Sequence, residues 1–154
     1  YFTPNFMGDH WICEYWSMDE GRWVQVDVQV DGVQKALFPI DFDTTDLPKG
    51  EFRYAGEVYL KALAGDIDPN RCGIGELKGL WFIRGNVIRD VMALNKLEIL
   101  PWDCNEWMGS ESAEQKALVK EAAHLTTDPM TPVDGLRALY DKHPQFRMPP
   151  EWQP

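Results

Sequence analysis

Apolar and polar positions alternate along residues 10–16 and again along 22–30, and both runs are rich in aromatic and β-branched side chains. This period of two predicts half-buried β-strands. Between them "SMDEG" has turn chemistry and ends in a glycine that can take positive φ, so the two runs read as a hairpin. "YFTPNF" reads as the end of a preceding strand stopped by Pro4. "FPIDFDTTDLPKG", dense in Asp, Thr and Pro, reads as a loop.

The period then changes. Residues 51–64 place Phe52, Ala55, Tyr59, Ala62 and Leu63 on one helical face, with Gly65 set to end the helix. "GDIDPNRCGIGELKG" reads as an irregular connection. Residues 80–95 put Val87, Ile88, Val91, Met92 and Asn95 on one stripe, and "LPWDCNEWMG" reads as loop. Ser112 with Gln115 forms a capping box for a helix reaching about His124, and Thr131 before Pro132 opens a last helix that stops by Pro144. The tail reads as extended. Strands followed by four helices predict an α+β layout in a single domain over 1–154, with a sheet hairpin in 1–31 and a loop-rich helical portion in 32–154.

Alternation also assigns faces. His10, Ile12, Glu14 and Trp16 share one side of the first strand, and Trp11, Cys13 and Tyr15 the other. On the second strand Val24, Val26, Val28 and Val30 form an apolar face expected in a core. An antiparallel register that pairs Trp11, Cys13 and Tyr15 with these valines gathers His10, Glu14, Gln25 and Asp27 on the opposite side. A carboxylate beside an imidazole fixes its tautomer and leaves the second nitrogen to take a proton. Polar residues on a solvent-facing sheet are the simpler account of the same pattern, and periodicity alone favours it.

Composition narrows the field. A chain of 154 residues with formal charge −10 lacks the basic footprint that nucleic acid requires. No apolar run has membrane-spanning length. Three irregularly spaced cysteines form no zinc pattern or disulfide framework, which suits a reducing cytoplasm. No phosphate-cradling loop, metal set or cofactor motif is present. The acids of "DFDTTD" miss the spacing of a calcium loop and read as a turn, and His124 and His143 fall near helix ends. The chain begins at Tyr1 without signal-peptide character and reads like the interior of a longer protein.

"DHWICEYW…GRWVQVDVQVD" resembles the His- and Asp-bearing strands of the transglutaminase-like superfamily, which shares the papain-like cysteine-hydrolase fold. His10, Trp11 and Glu14 match the first strand of that pattern, and Trp23 and Asp27 the second. "GLWFIRGNVIRDVMALNKLEILPWD", residues 79–103, is similar to the C-terminal extension of a bacterial branch, so the resemblance covers nearly the whole chain. It implies a partial transglutaminase-like fold, with His10 as general base and Asp27 as its orienting carboxylate, acting on a peptide or amide substrate. The family's nucleophilic cysteine belongs to a helix upstream of the histidine strand, and no counterpart stands in this sequence. Cys13, Cys72 and Cys104 read as small buried or loop residues, since nothing in the sequence supplies the positive neighbour a reactive thiol needs.

Glu14, Gln25, Trp11, Arg84, Asn86, Arg89 and Asp90 are the candidate cleft-lining residues. For those on the 80–95 helix the other reading is a surface helix laced with ion pairs, although the apolar flanks "LWF" and "LEIL" require some of these polar groups to be satisfied internally. Two functions stay open: a thiol-dependent amide hydrolase or acyltransferase lacking its nucleophile, and a non-catalytic binding or oligomerisation module on the same scaffold. In the family an upstream helix covers the sheet. Its absence would expose Trp11, Tyr15 and the valines, so a two-fold homodimer through the first hairpin is expected, against a monomer whose C-terminal helices cover that surface.

Overall fold

The computed structural model describes residues 1, 7–38, 40–97, 99–100, 102–104, 106–127 and 133–149. The chain runs β1 (Met7–Gly8), β2 (Cys13–Ser17), β3 (Arg22–Val26), α1 (Gly32–Leu37), α2 (Ala55–Ala64), β4 (Cys72–Ile74), β5 (Leu77–Lys78), α3 (Leu80–Leu94), α4 (Glu106–Gly109), α5 (Ala113–Leu125) and α6 (Val133–Lys142). The class is α+β, as the periodicity predicts. β2 and β3 form the expected antiparallel hairpin, with Cys13 opposite Val26, Glu14 opposite Gln25 and Tyr15 opposite Val24. A second, mixed sheet was not anticipated: β1 pairs in parallel with β4, which pairs antiparallel with β5.

The hydrophobic core is helical. The predicted stripe of α3 is its centre, with Val87, Ile88, Val91 and Met92 fully buried. Around it pack Ala55, Val58 and Tyr59 of α2, Leu118, Val119, Ala122 and Ala123 of α5, Leu136 and Leu139 of α6, and Phe146. α2 and α5 approach closely at Gly56, where a Cβ would stand 2.4 Å from Thr126 Oγ1 and 2.5 Å from the Ala123 carbonyl. Gly65 ends α2 as predicted, at φ 84°, with its N–H bonded back to Ala62 and Lys61. Among the described residues no helix is long and apolar enough to cross a membrane.

Several boundaries differ from expectation. β3 stops at Val26 because the Asp27 carboxylate accepts the N–H groups of Gln29, at 2.8 Å, and Val30, at 3.2 Å, and turns the chain. Asp31 then caps α1 in a full capping box with Gln34. The valine face is therefore broken: Val24 is buried, but Val28 is 80% exposed. Cys13, expected to be buried or in a loop, stands exposed on β2. α2 begins at Ala55, after Phe52, and Leu63 is exposed. The irregular connection at 66–79 holds the β4–β5 hairpin, and the "LPWDCNEWMG" loop holds α4.

Ser112 accepts from Gln115 N–H at 3.1 Å, but the Gln115 amide turns to the Trp107 carbonyl at 2.6 Å, so only half of the predicted box forms. Within the tail, residues 144–146 make a short 3₁₀ turn that buries Phe146. The strand end expected in residues 2–6, the Thr131–Pro132 cap and the tail beyond Pro149 lie outside the described residues.

Candidate active site

His10 belongs to the segment that crosses from the mixed sheet to the hairpin. The main chain is anchored at its start by Asp9 N–H to the Gly73 carbonyl, 3.0 Å. Pairing of β2 begins only at Cys13, so strand alternation does not govern residues 9–12. Four consecutive side chains, Asp9, His10, Trp11 and Ile12, all line one cavity of about 380 Å³. Its other walls come from Glu14 and Trp23 of the hairpin, Phe52 and Tyr54 ahead of α2, and Asn86, Arg89 and Asp90 of α3. Such a volume suits a small ligand or a short stretch of peptide.

The hairpin brings His10 and Asp27 together. His10 Nε2 lies 2.6 Å from Asp27 Oδ2, with the Asp27 side chain 1% exposed and the imidazole 17%. Asp27 Oδ1 holds the Gln29 and Val30 N–H groups, and Asp27 N–H bonds the Thr44 carbonyl at 2.8 Å. This carboxylate is immobilised at both oxygens and at its main chain. An ionised Asp27 accepts from Nε2–H, which favours the neutral ring tautomer protonated on Nε2.

The other expected residues separate into two groups. Trp11, Glu14, Asn86, Arg89 and Asp90 line the cavity; Gln25 and Arg84 do not. Gln25 lies behind Glu14, donating to its carboxylate at 2.9 Å and to the Tyr54 hydroxyl at 2.5 Å, and Tyr54 itself donates to Glu14 in a short bond. Arg84 turns away to Glu111 at 2.7 Å and, with Lys116, pulls that carboxyl down to about 2.

On α3, residues that line the cavity also bond within the protein. Asn86 donates to Tyr1 Oη at 2.9 Å and to Asp9 Oδ1 at 2.7 Å, and accepts from Arg89 Nη1 at 3.0 Å. Arg89 Nη2 also reaches the Asp103 carbonyl, at 3.2 Å, and Cys104 Sγ, at 2.9 Å. Thus Cys104 has the cationic neighbour that no sequence feature indicated. Cys72 is buried, which pushes its thiol pKa up.

Two half-buried carboxyls are displaced from their ordinary range. Burial raises Asp90 to about 7, against the opposing pull of the Ala55 N–H that it accepts. That bond caps α2 from a neighbouring helix, since Tyr54 at the N-cap supplies none from its side chain. Asp9 is also raised by burial, and its hydrogen bond from Asn86 opposes the shift. Sequence reasoning missed Asp9 and Tyr54. Adjacency to His10 was the available signal for Asp9; Tyr54 had none, because its contact with Glu14 spans 40 residues.

Among the described residues, no Cys, Ser or Thr lines the cavity, and no group of three or more His, Cys, Asp or Glu is placed to hold a metal ion. The "DFDTTD" segment is a turn: Asp43 accepts from Thr45, and Asp46 pairs with Arg22. Compared with family models, characterised proteins and solved structures, the chain matches none.

Proposed function

We propose that this chain carries the base and orienting carboxylate of a thiol-dependent amide hydrolase or acyltransferase of the transglutaminase-like kind, on a partial papain-like fold. The observation that supports it most is the 2.6 Å contact between His10 and a buried, fully tethered Asp27 at the wall of a cavity. In that chemistry His10 Nδ1 takes the proton of an attacking thiol and returns it to the leaving amine, while Asp27 holds the ring and stabilises its charged form. The thiolate adds to the substrate carbonyl, amine leaves, and water or a second amine releases the acyl group. The reading requires the thiol to come from outside the described residues of the cavity.

The test is made on the complete natural polypeptide with a glutamine-containing peptide, following ammonia release and incorporation of a primary amine. We expect turnover abolished by iodoacetamide and reduced about 10³- to 10⁴-fold by His10→Ala. Turnover indifferent to His10→Ala, or none at all, overturns this reading in favour of a binding module.

The same reading places the protein in the cytoplasm, on the support of three free thiols. It also expects a two-fold homodimer. Tyr15, Trp16 and Met18 on the hairpin, with Val33, Leu37 and Phe38 at α1, are all exposed, and α1 buries no residue at all. Light scattering over a dilution series tests this, and a one-chain mass throughout refutes it.

A further inference from the structure

Six charged side chains line the cavity besides His10: the carboxylates of Asp9, Glu14 and Asp90, and the cations of Arg89, Lys96 and Arg137. Four are engaged within the protein. Asp9 is held by Asn86, Glu14 by Gln25 and Tyr54, and Asp90 by the Ala55 N–H. Arg89 donates to Asn86, Asp103 and Cys104. The side chains of Lys96 and Arg137 are exposed and make no ion pair or hydrogen bond among the described residues. The two charged side chains left without a partner at the cavity are thus both cations, in a protein whose net charge is −10.

The backbone at Lys96 adds an independent observation. Lys96 has φ +67°, the only positive φ at a non-glycine position among the described residues. It follows the end of α3 in a Schellman turn, with Lys96 N–H to the Ala93 carbonyl at 2.9 Å and Leu97 N–H to Met92 at 3.0 Å. α2 ends in the same left-handed conformation but uses Gly65 there, at φ 84°. At α3 the chain accepts the strain of a left-handed lysine, and that lysine reaches the cavity mouth. Arg137 approaches the mouth from α6, which packs against α3.

We infer that Lys96 and Arg137 form an anion-binding mouth to the His10 cavity, and that its ligand is a peptide bearing a carboxylate beside the residue that enters. The aromatic walls of Trp11, Trp23 and Phe52 suit the apolar body of such a ligand, and the two cations its charge. The inference deepens the proposed function by naming its substrate class. Binding does not need turnover, so the two are separable.

The carboxylate can come from an acidic side chain or from a peptide C-terminus. The experiment is an NMR titration of the 154-residue chain with three peptides: Ala-Gln-Glu-Ala blocked at both ends, blocked Ala-Gln-Gln-Ala, and Ala-Gln-Ala-Ala with a free C-terminal carboxylate. At least one charged peptide is expected to bind about tenfold more tightly than the neutral one, with a preference that fades as salt is raised. Which charged peptide binds identifies the source. Lys96→Gly should reduce the preference to about twofold or less while raising the melting temperature by about 2–4 °C, since glycine relieves the strain. Lys96→Asn and Arg137→Gln should lose the preference without that gain.

Equal affinities for all three peptides, no binding of any at about 10 mM, or a preference intact in Lys96→Gly overturns the inference. The titration reads binding without turnover, so its outcome does not depend on a thiol being supplied to the cavity. Failure of the catalytic reading is thus distinguishable from failure of this one.

Discussion

The carboxylate of Asp27 ties the imidazole of His10 to the turn that ends β3: Oδ2 meets His10 Nε2 at 2.6 Å while Oδ1 accepts from Gln29 and Val30. Orientation of the candidate base and termination of β3 depend on one side chain. Asp27→Ala removes both and leaves part-buried donors without an acceptor. A loss of about 1–3 kcal/mol in urea denaturation is expected. Asp27→Asn keeps an acceptor oxygen and should cost less. An Asp27→Ala protein within about 0.5 kcal/mol of the parent would refute the linkage.

Asp90 makes stability depend on pH. Its folded pKa of about 7 lies above its ordinary 3.8 because burial disfavours the charged form. Between these values the folded chain holds a proton that the unfolded chain has released, so stability falls as pH rises from about 4 to about 7 and then levels. Asp9, raised by the same cause, adds in the same direction. The contribution is of the order of 2–4 kcal/mol. Asp90→Asn can still accept from Ala55 N–H but cannot ionise. Denaturation midpoints measured across this window should be flatter in that variant, and a slope equal to the parent's would show that Asp90 is not the group responsible.

The 154-residue chain by itself should show no iodoacetamide-sensitive amidase or acyl-transfer activity. Cys13 stands on the hairpin opposite Val26, Cys72 is buried with its thiol pKa raised, and Cys104 lies in the loop beside Arg89. None of them lines the cavity that His10 faces. Turnover abolished by Cys72→Ser or Cys104→Ser would contradict this.

Gly56 sets the distance between α2 and α5. A methyl group there meets main-chain and side-chain atoms at 2.4–2.5 Å, so Gly56→Ala should destabilise by about 1–3 kcal/mol through forced separation of the helices. At Gly65 nothing crowds a Cβ, and Gly65→Ala meets only the backbone penalty of a left-handed residue, about 1 kcal/mol. Thermal unfolding that ranks the two variants the other way would rule out the close crossing as the cause.

Local signals reached α3 and the hairpin because each is specified within a few residues. The stripe of Val87, Ile88, Val91 and Met92 repeats at helical spacing, and "SMDEG" closes β2 onto β3 in the register that the valines suggest. His10 and Asp27 were readable as neighbours because they flank the two strands of one hairpin, which a single turn joins. The turn held by the Asp27 carboxylate lies inside an alternating run, so alternation carries β3 past its true end at Val26. β4 and β5 span three and two residues, too few for any period to register. The links from Tyr54 to Glu14 and from Asn86 to Asp9 join distant segments, and no spacing rule connects such positions.

The crossing at residues 9–12 also decides where the chain tolerates a change of length. It is clamped at one end by Asp9 on Gly73 and at the other by the register that sets Cys13 against Val26. One residue inserted there must unseat His10 from Asp27 or shift every pair of the hairpin by one position. The turn at 18–21 is exposed and bears on neither anchor, so a longer loop can be accommodated there. A tag, a reporter or a natural insertion that leaves the cavity intact therefore belongs at the tip of the hairpin and never at its base.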